Sequence, residues 1–388
     1  MKLSSADVVV IGGGIIGTSV AYYLARMGVG VELVERRGIA SATSSACADA
    51  LVLQTKAPGP KLALATRSVR LYHGLGEELD CDLEFRNEGG MIAALDESEL
   101  QYVSELVARL RAHGVPVELL DARTAMELQP AITPRVLAAS HCSLDCHLNP
   151  LRVSTGFARA AARLGARFHL RTEVTGIQVQ RGRITAVDTT GGRIDTPVVV
   201  DAAGAWSPAI ARMAGIELDI LPRRGQILVT EALPPLVRGR LFGARYLMSK
   251  LAKPSGKGGS GQGGYLSGMV LGQQASGNFL IGGTREFVDF DTSTTYDGIT
   301  DLARQAVELL PVLSGVQIIR AFAGLRPAPG DGLPTIRRYP EPEGFVVASG
   351  HEGDGICLAP VTGEIVAEIV AGHVDDYTQF LQTLEAQG

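Results

Sequence analysis

The feature that most constrains the fold is a glycine motif near the start of the chain, DVVVIGGGIIG at residues 7–17. Four apolar residues, Val8–Ile11, predict a strand that is buried on both faces. Gly12, Gly14 and Gly17 follow at the spacing GxGxxG. In this spacing the first glycine permits a sharp turn, the second lets phosphate approach the backbone, and the third lets the helix pack on the sheet. The motif predicts a pyrophosphate site at a helix N-terminus, where N–H groups attract anions.

The residues after the glycines are those that a dinucleotide-binding domain requires. Apolar residues recur at helical spacing over residues 15–27, and Gly28 predicts the end of that helix. A second strand is predicted for residues 29–34 and is followed by Glu35, about 20 residues beyond the glycines, where a carboxylate can bind ribose hydroxyls. The alternative is a tight turn between strand and helix that binds no ligand.

Length and composition predict a globular protein of two domains. The chain has 388 residues, of which 46% are hydrophobic and 20% are charged. The net charge of −5 gives no electrostatic reason to expect nucleic acid or an anionic membrane as a partner. No apolar run approaches a membrane span, and the N-terminus lacks the pattern of a signal peptide. We therefore expect a small-molecule substrate and no direct membrane insertion.

The cysteines indicate a reducing compartment. Five are scattered along the chain, and an odd number argues against a disulfide framework, so a cytoplasmic location is predicted. Two of them, Cys142 and Cys146, lie in a compact group with His141 and His147. A structural zinc site usually combines separated pairs of ligands, so no metal site is predicted.

The rest of the sequence predicts an α/β chain with a discontinuous nucleotide domain. Alternating apolar residues and glycine-centred turns over residues 171–207 predict a β-meander, and within this segment Val198–Val200 predict a buried strand. The expected architecture is a Rossmann-like nucleotide domain with a β-meander, joined to an α+β second domain built on a mixed sheet. The nucleotide domain is predicted to comprise residues 1–83, 141–222 and 323–388, and the second domain residues 84–140 and 223–322.

The second domain contains one segment of low complexity. Strands are predicted near residues 226–230, 244–248 and 279–283, with a helix over residues 299–310. Residues 254–264, PSGKGGSGQGG, have nothing to bury and predict a loop. Such a loop is either a tolerated surface segment or an active-site lid or subunit contact.

Several motifs along nearly the whole chain together point to one family. They are VVVIGGGIIG, Glu35 at the end of a strand, AGAWS at residues 203–207, GLRP at 324–327 followed by DGLPTI, and GHEGDGI at 350–356. With these motifs the chain resembles the D-amino-acid-oxidase-like family of FAD-dependent amine and amino-acid oxidoreductases, which includes glycine oxidase and sarcosine oxidase.

Two shorter stretches suggest a subgroup of that family. HEGDGI and the loop Ser44-Ser45-Ala46-Cys47 look most similar to the flavin-bearing β subunits of opine oxidase, D-hydroxyproline dehydrogenase and hydrogen cyanide synthase. Those proteins work with an iron-sulfur-containing partner, so the resemblance implies a possible iron-sulfur or flavin-containing α subunit here.

The resemblance implies FAD as the cofactor and assigns residues to it. The glycine motif would hold the pyrophosphate, Glu35 the ribose, and the segment 350–356 would lie under the flavin ring, where a helix N-terminus stabilises negative charge. For His351, direct flavin contact and a hydrogen-bonded turn remain alternatives. The implied cofactor residues are Gly12, Gly14, Ile15, Ile16, Gly17, Glu35, Arg36, Thr43, Ser44, Ser45, Ala46, Val174, Ala203, Gly204, Trp206, Gly350, Glu352, Gly353, Asp354, Gly355 and Ile356.

The candidate catalytic residues are Arg326, Tyr246, His351 and Glu352. Arg326 in the GLRP motif would grip a substrate carboxylate with two parallel donors, and the alternative is a structural ion pair. Tyr246, on a predicted strand, would close the pocket or serve as a core residue. Glycine oxidase carries a basic residue in the terminal loop where this chain has Glu352 and Asp354. The acidic loop would then favour a substrate with a cationic or hydroxyl-bearing part.

The reaction implied by the resemblance is oxidation of a carbon–nitrogen bond to an imine by hydride transfer to flavin N5. The substrate would be a D-amino acid, an N-alkyl amino acid, hydroxyproline or an opine, and the chain would act as the catalytic β subunit of a heteromeric dehydrogenase. The alternatives are a stand-alone glycine- or sarcosine-type oxidase that uses oxygen, a nicotinamide-dependent dehydrogenase, and an interaction subunit that only holds flavin.

Overall fold

The computed structural model describes residues 2–251 and 266–387, so the predicted loop at residues 254–264 lies outside the described residues. The strands are β1 Lys2–Ser5, β2 Val8–Ile11, β3 Val31–Glu35, β4 Ala50–Leu51, β5 Gly90–Ala94, β6 Val117–Asp121, β7 Ala138–Cys142, β8 Cys146–His147, β9 Arg167–Leu170, β10 Val174–Gln180, β11 Arg183–Thr189, β12 Gly192–Asp195, β13 Val198–Asp201, β14 Ile220–Ala232, β15 Arg240–Gly243, β16 Leu266–Gln273, β17 Asn278–Arg285, β18 Ile318–Pro329, β19 Thr335–Arg338 and β20 Phe345–Ser349. The helices are α1 Ile15–Arg26, α2 Pro60–Leu79, α3 Glu97–Arg111, α4 Ala122–Leu128, α5 Pro150–Arg163, α6 Ser207–Met213, α7 Ala244–Leu251, α8 Tyr296–Leu309, α9 Gly355–Ala371 and α10 Tyr377–Gln387.

The glycine motif leads out of the centre of a six-stranded sheet. Its strand order is β19-β20-β13-β2-β3-β9, with β2 parallel to both β3 and β13. All four residues of β2 are buried, because helices cover one face of this sheet and further strands lie against the other. The strand, turn and helix predicted for the start of the chain are confirmed, and the second strand begins at Val31 rather than residue 29.

Within the predicted meander, residues 174–195 form three strands of the four-stranded sheet β1-β12-β11-β10, whereas β13 belongs to the parallel sheet. Strands β10, β11 and β12 pair antiparallel in sequence order, and β1 joins the edge in parallel to β12. Apolar residues of this sheet pack with those of β2, β13 and β20 in one buried cluster. The meander therefore packs against the face of the parallel sheet that the helices leave open.

A mixed sheet of eight strands forms the other half of the protein. Its order is β18-β14-β17-β16-β15-β5-β7-β6, in which β15 and β5 run parallel while the other neighbours are antiparallel. Strands β14 and β18 pair along most of their length, with Arg223 opposite Arg326. The predicted fold class, a Rossmann-like domain with a meander and a mixed-sheet domain, is confirmed. We propose the domain boundaries given above, although β7, β14 and β18 each cross one of them.

One predicted strand is wrong. Residues 244–248 were expected to be extended, but helix α7 begins at Ala244, directly after β15 ends at Gly243. Ala244 and Leu247 are buried three positions apart, which is the spacing of a helix face, and Ala, Arg, Leu and Met all favour helices. Tyr246 therefore lies on a helix.

In the part of the chain that the structure describes, none of the helices has both the length and the apolar character that crossing a bilayer requires.

Candidate active site

A long cleft lies at the carboxyl ends of the central parallel strands, where ligands bind in open α/β sheets. One wall consists of the turns after β2, β3, β13 and β20, and the other of β14, β17 and β18. Its empty volume, including the open mouth, is about 2010 Å³.

The glycine turn has the close contacts that a dinucleotide site needs. Gly12 has a φ of +111°, and a Cβ atom on it would lie 2.6 Å from the Ala202 carbonyl oxygen. A Cβ atom on Gly17 would lie 1.9 Å from the Gly12 carbonyl oxygen. The Ser44 hydroxyl accepts a hydrogen bond of 3.0 Å from the Ile15 N–H at the start of α1. Only glycine permits this approach of turn and helix, so the residues present fit the pyrophosphate of FAD.

Glu35 is fixed at the end of β3, on the wall of the cleft. Its Oε2 accepts a hydrogen bond of 2.7 Å from the Gly13 N–H, and its Oε1 one of 2.7 Å from the Arg37 N–H. Nearby, the Arg36 guanidinium lies 4.3 Å from the centre of the Trp206 ring. A carboxylate in this position fits the ribose hydroxyls of the adenosine.

The cleft gathers most of the predicted site residues but not all. Three predicted residues do not line the cleft. Gly17 lies behind the turn, the exposed Ser45 donates its hydroxyl to the Ala42 carbonyl, and Gly350 lies between two residues that do line it. The predicted residues that line it are Gly12, Gly14, Ile15, Ile16, Glu35, Arg36, Thr43, Ser44, Ala46, Val174, Ala203, Gly204, Trp206, Tyr246, Arg326, His351, Glu352, Gly353, Asp354, Gly355 and Ile356.

The C-terminal segment enters the cleft just before α9. Asp354 is buried there, with its Oδ1 3.0 Å from Lys56 Nζ and its Oδ2 2.8 Å from Lys61 Nζ. Burial alone would lower the pKa of Lys56, but Asp354 more than reverses this, and the pKa lies above its ordinary value. This pair therefore keeps a buried cation on the wall of the cleft, beside the N-terminus of α9.

His351 is buried and neutral at physiological pH. Burial, reinforced by the charge of Lys61, lowers the pKa of His351 to about 3. The His351 Nε2 lies 3.0 Å from the Thr362 hydroxyl, which agrees with the alternative of a hydrogen-bonded turn residue. His351 also lines the cleft.

Arg326 lies in a hollow that two glycines create. A Cβ atom on Gly225 would lie 2.2 Å from Arg326 Nη1, and one on Gly283 would lie 2.7 Å from its Nη2. The Nη1 group donates a hydrogen bond of 2.8 Å to the Thr284 carbonyl. The guanidinium is thus held flat against the sheet at the wall of the cleft, which is the arrangement that fixes the direction of a carboxylate ligand.

The acidic loop does not present free negative charge. Glu352, which has a φ of +50°, faces three guanidinium groups, and Asp354 is paired with two lysines. The distances to Glu352 Oε1 are 3.6 Å from Arg223 Nη1, 3.9 Å from Arg285 Nε and 3.9 Å from Arg326 Nε. The expectation that this loop favours a cationic or hydroxyl-bearing part of the substrate stays a prediction, and these ion pairs count against the cationic alternative.

Sequence reasoning missed Lys56, Lys61, Arg223 and Arg285. Of these, Lys56 lines the cleft, and the other three contact its lining residues Asp354 and Glu352. Tyr246 also lines the cleft, and its ring lies 4.5 Å from the Arg285 guanidinium carbon. Arg223 and Arg285 follow no motif and reach the site only through the pairing of distant strands. Arg326, which lies opposite Arg223 across β14 and β18, could be predicted because it belongs to the GLRP motif.

Across residues 2–251 and 266–387, no three His, Cys, Asp or Glu side chains are grouped as metal ligands. The His147 ring in the predicted Cys/His cluster instead lies 3.2 Å from the Glu88 carboxylate.

Comparisons with known proteins agree with the FAD site that the residues of the cleft indicate. The family DAO, described as FAD dependent oxidoreductase, matches residues 7–369. Glycine oxidase of Bacillus licheniformis is 30% identical over 98% of this chain and 97% of its own length. Hydrogen cyanide synthase subunit HcnC of Pseudomonas protegens is 29% identical over 94% of this chain and 92% of that protein.

The fold leads to the same family. The crystal structure of glycine oxidase from Geobacillus kaustophilus superposes with a TM-score of 0.86 at 28% identity, covering 97% of this chain and 98% of that one. L-proline dehydrogenase from P. horikoshii gives a TM-score of 0.85 at 27% identity over 98% of this chain and 99% of that chain. With a family match over almost the whole sequence and a glycine turn that fits the pyrophosphate, this chain belongs to the DAO family of FAD-dependent oxidoreductases.

Proposed function

We propose that the protein oxidises the carbon–nitrogen bond of an amino acid or a secondary amine to an imine. The observation that carries the proposal is the Arg326 guanidinium, held between Gly225 and Gly283 on the wall of the cleft, because it can fix a carboxylate in one orientation. The similarity to glycine oxidases supports an amino-acid substrate. Family membership in FAD-dependent oxidoreductases removes the nicotinamide-dependent alternative.

The chain's own residues prepare the substrate for this reaction. FAD, when bound, supplies the acceptor for a hydride equivalent. Arg326 would bind the carboxylate and orient the carbon that loses hydrogen. A free amine is mostly protonated at neutral pH, whereas the reaction needs the nitrogen lone pair. Desolvation in the cleft and the nearby guanidinium groups both lower the pKa of a bound amine, which favours the neutral form without a dedicated base.

For the electron acceptor, we propose a partner protein, with this chain as the flavin subunit of a heteromeric dehydrogenase. The similarity to HcnC, which is a subunit of hydrogen cyanide synthase, supports this role. The similarity to glycine oxidase favours a second candidate, a stand-alone oxidase that uses oxygen. The five free cysteines support the proposed cytoplasmic location.

An anaerobic flavin-reduction screen tests the proposal. The purified holoenzyme should lose its flavin absorbance on mixing with at least one of glycine, sarcosine, D-amino acids, D-hydroxyproline or opines. Slow recovery of colour in air would support the heteromeric dehydrogenase, and rapid recovery the stand-alone oxidase. Flavin that stays oxidised with every amine would contradict the proposed reaction.

We expect Arg326→Lys to lose about 30- to 150-fold in the rate of flavin reduction at low substrate concentration, because an ammonium group cannot make the paired hydrogen bonds of a guanidinium. Stopped-flow reduction with the best amine of the screen measures the effect. Arg320→Lys is the matched control, since Arg320 lies on the same strand but is exposed. Equal rates of flavin reduction in Arg326→Lys and Arg320→Lys would show that Arg326 does not bind the substrate.

A further inference from the structure

We propose that Phe290 slows the release of FAD by completing a clasp, formed by Arg36, Trp206 and Phe290, between the two walls of the cleft. The clasp lies next to Glu35, the residue that fits the ribose. Phe290 is a positioning residue, because it lies outside the cleft lining and acts on the cofactor through Trp206. The inference goes beyond the proposed reaction, since it concerns how long the cofactor stays bound.

The clasp is built on the ring of Trp206. The Phe290 ring is stacked against it, with the ring centres 5.5 Å apart and the ring planes inclined by 28°. The Arg36 guanidinium carbon lies 4.3 Å from the centre of the Trp206 ring. Offset aromatic pairs attract one another at this separation, and so do a cation and an indole face. The three side chains therefore form one continuous group.

The members of the clasp come from opposite walls of the cleft. Arg36 follows β3 and Trp206 follows β13, and both line the cleft on the side of the parallel sheet. Phe290 belongs to residues 286–295, which connect β17 of the eight-stranded sheet to α8. Because Trp206 and Phe290 belong to different walls, their contact must break whenever the walls separate at this point.

The turn that carries Trp206 is fixed to the parallel sheet. Asp201, the last residue of β13, accepts hydrogen bonds of 3.0 Å from the Ala203 N–H and 2.9 Å from the Ser207 hydroxyl. These two donors lie on either side of Trp206 in the chain, and Asp201 is buried. Trp206 therefore cannot swing away from the cleft without disturbing a buried carboxylate.

The segment that carries Phe290 is fixed to the other sheet. The Arg224 guanidinium on β14 lies 2.7 Å from the Glu286 carboxylate and 2.5 Å from the Asp291 carboxylate. These two carboxylates flank Phe290 in the chain, and Arg224 also exchanges backbone hydrogen bonds of 2.8 and 3.1 Å with Glu286. With both attachments held, the contact between the two rings is the part that can open.

Opening this contact requires no unfolding. Phe290 is already 49% exposed, so separating the rings uncovers little further apolar surface. An aromatic pair adds a modest barrier to the release of FAD, and it contributes only a small part of the stability of a folded domain. Removing the Phe290 ring should therefore speed release and leave the unfolding transition nearly unchanged.

Exchange of the bound cofactor tests the inference on the holoenzyme. An excess of 5-deaza-FAD traps the emptied site, and the loss of bound FAD absorbance gives the rate of release. Phe290→Ala should release FAD about 3- to 10-fold faster than the unaltered enzyme. Phe290→Tyr keeps a ring face and should retain slow release. Phe287→Ala is the matched control, because Phe287 lies in the same segment and is also 49% exposed, but its ring contacts Arg223.

Two further measurements separate a clasp from a general loosening of the fold. Trp206 is the single tryptophan of the chain, so its fluorescence reports the contact directly. Its emission should move to longer wavelength in Phe290→Ala and stay unchanged in Phe287→Ala. In urea with excess FAD, the unfolding midpoints of these two variants should agree.

Equal rates of FAD release from Phe290→Ala and the unaltered enzyme, including no release from either, would overturn the inference. Equally fast release from Phe287→Ala or Phe290→Tyr would also overturn it, as would an unshifted Trp206 emission or a lower urea midpoint in Phe290→Ala alone. Amine oxidation enters none of these measurements. The clasp can therefore fail while the proposed reaction stands, and the proposed reaction can fail while the clasp stands.

Discussion

The Gly17→Ala variant is expected to purify without FAD. Its new methyl group would lie 1.9 Å from the Gly12 carbonyl oxygen, which is backbone and cannot rotate away. Helix α1 cannot retreat, because it packs against both α5 and α9. Overpacking of this kind costs about 3 kcal/mol or more, equivalent to about a 100-fold loss of cofactor affinity if the turn opens. The flavin-to-protein absorbance ratio after purification, and titration of the apoprotein with FAD, measure the effect.

Gly38→Ala provides the matched control for that variant. Gly38 lies in the loop after β3, and a Cβ atom on it would have no heavy atom within 4 Å. Its φ is not in the left-handed region, so alanine should change stability by less than about 0.5 kcal/mol. Normal FAD content in Gly17→Ala would show that the tight turn is not needed for the cofactor.

A second large effect is expected for Asp49→Asn, which breaks a buried ion pair between the residue before β4 and strand β15. Asp49 Oδ1 accepts a hydrogen bond of 2.7 Å from Arg240 Nε, and Asp49 Oδ2 contacts Arg240 Nη2 as well. The two side chains are only 3% and 2% exposed. Loss of one buried partner should lower the free energy of unfolding by about 3–5 kcal/mol, because Arg240 would remain buried without its counter-charge. Urea unfolding of the holoenzyme measures it.

The contribution of the Asp49–Arg240 ion pair to the free energy of unfolding depends on pH in one direction. Although burial opposes the charge, Arg240 holds the pKa of Asp49 below its ordinary value of 3.8 in the folded state. The ion pair therefore contributes fully above pH 3.8, and its contribution falls as the pH drops below that value. At neutral pH, Asp49→Asn should therefore show the full decrease in the free energy of unfolding.

An exposed pair serves as the control for Asp49→Asn. Arg183 and Glu343 lie 2.8 Å apart with side chains 69% and 59% exposed, so Glu343→Gln should cost less than about 1 kcal/mol. If Asp49→Asn costs no more than Glu343→Gln, the buried Asp49–Arg240 pair does not stabilise the folded protein.

The nucleotide-binding half could be predicted from sequence because its evidence is local. A buried strand, three glycines and an acidic strand end lie within residues 7–35, so each part constrains the next. The strand predicted at residues 244–248 was wrong because five residues contain too little periodicity to separate a strand from a short helix. The low-complexity loop at residues 254–264 stays a prediction.

The candidate substrate site was predicted only in part because its residues meet through long-range pairing. Arg326 lies within a motif, but Arg223 becomes its neighbour only when β14 and β18 pair in register. The partners of the acidic loop were missed for the same reason. Glu352 and Asp354 are acidic in sequence, whereas their partners Arg223, Arg285 and Lys56 come from distant segments.

The contact between α1 and α9 has a consequence for how the protein is made. The Ser19 hydroxyl donates a hydrogen bond of 2.8 Å to the Ala359 carbonyl, so the first helix is packed by one of the last. A nascent chain emerges N-terminus first, so Ser19 is synthesised 340 residues before its partner Ala359. FAD binding is in this sense a late event of biogenesis, and a polypeptide cut short before α9 would lack Gly355 and Ile356 of the cleft and the helix that packs on α1.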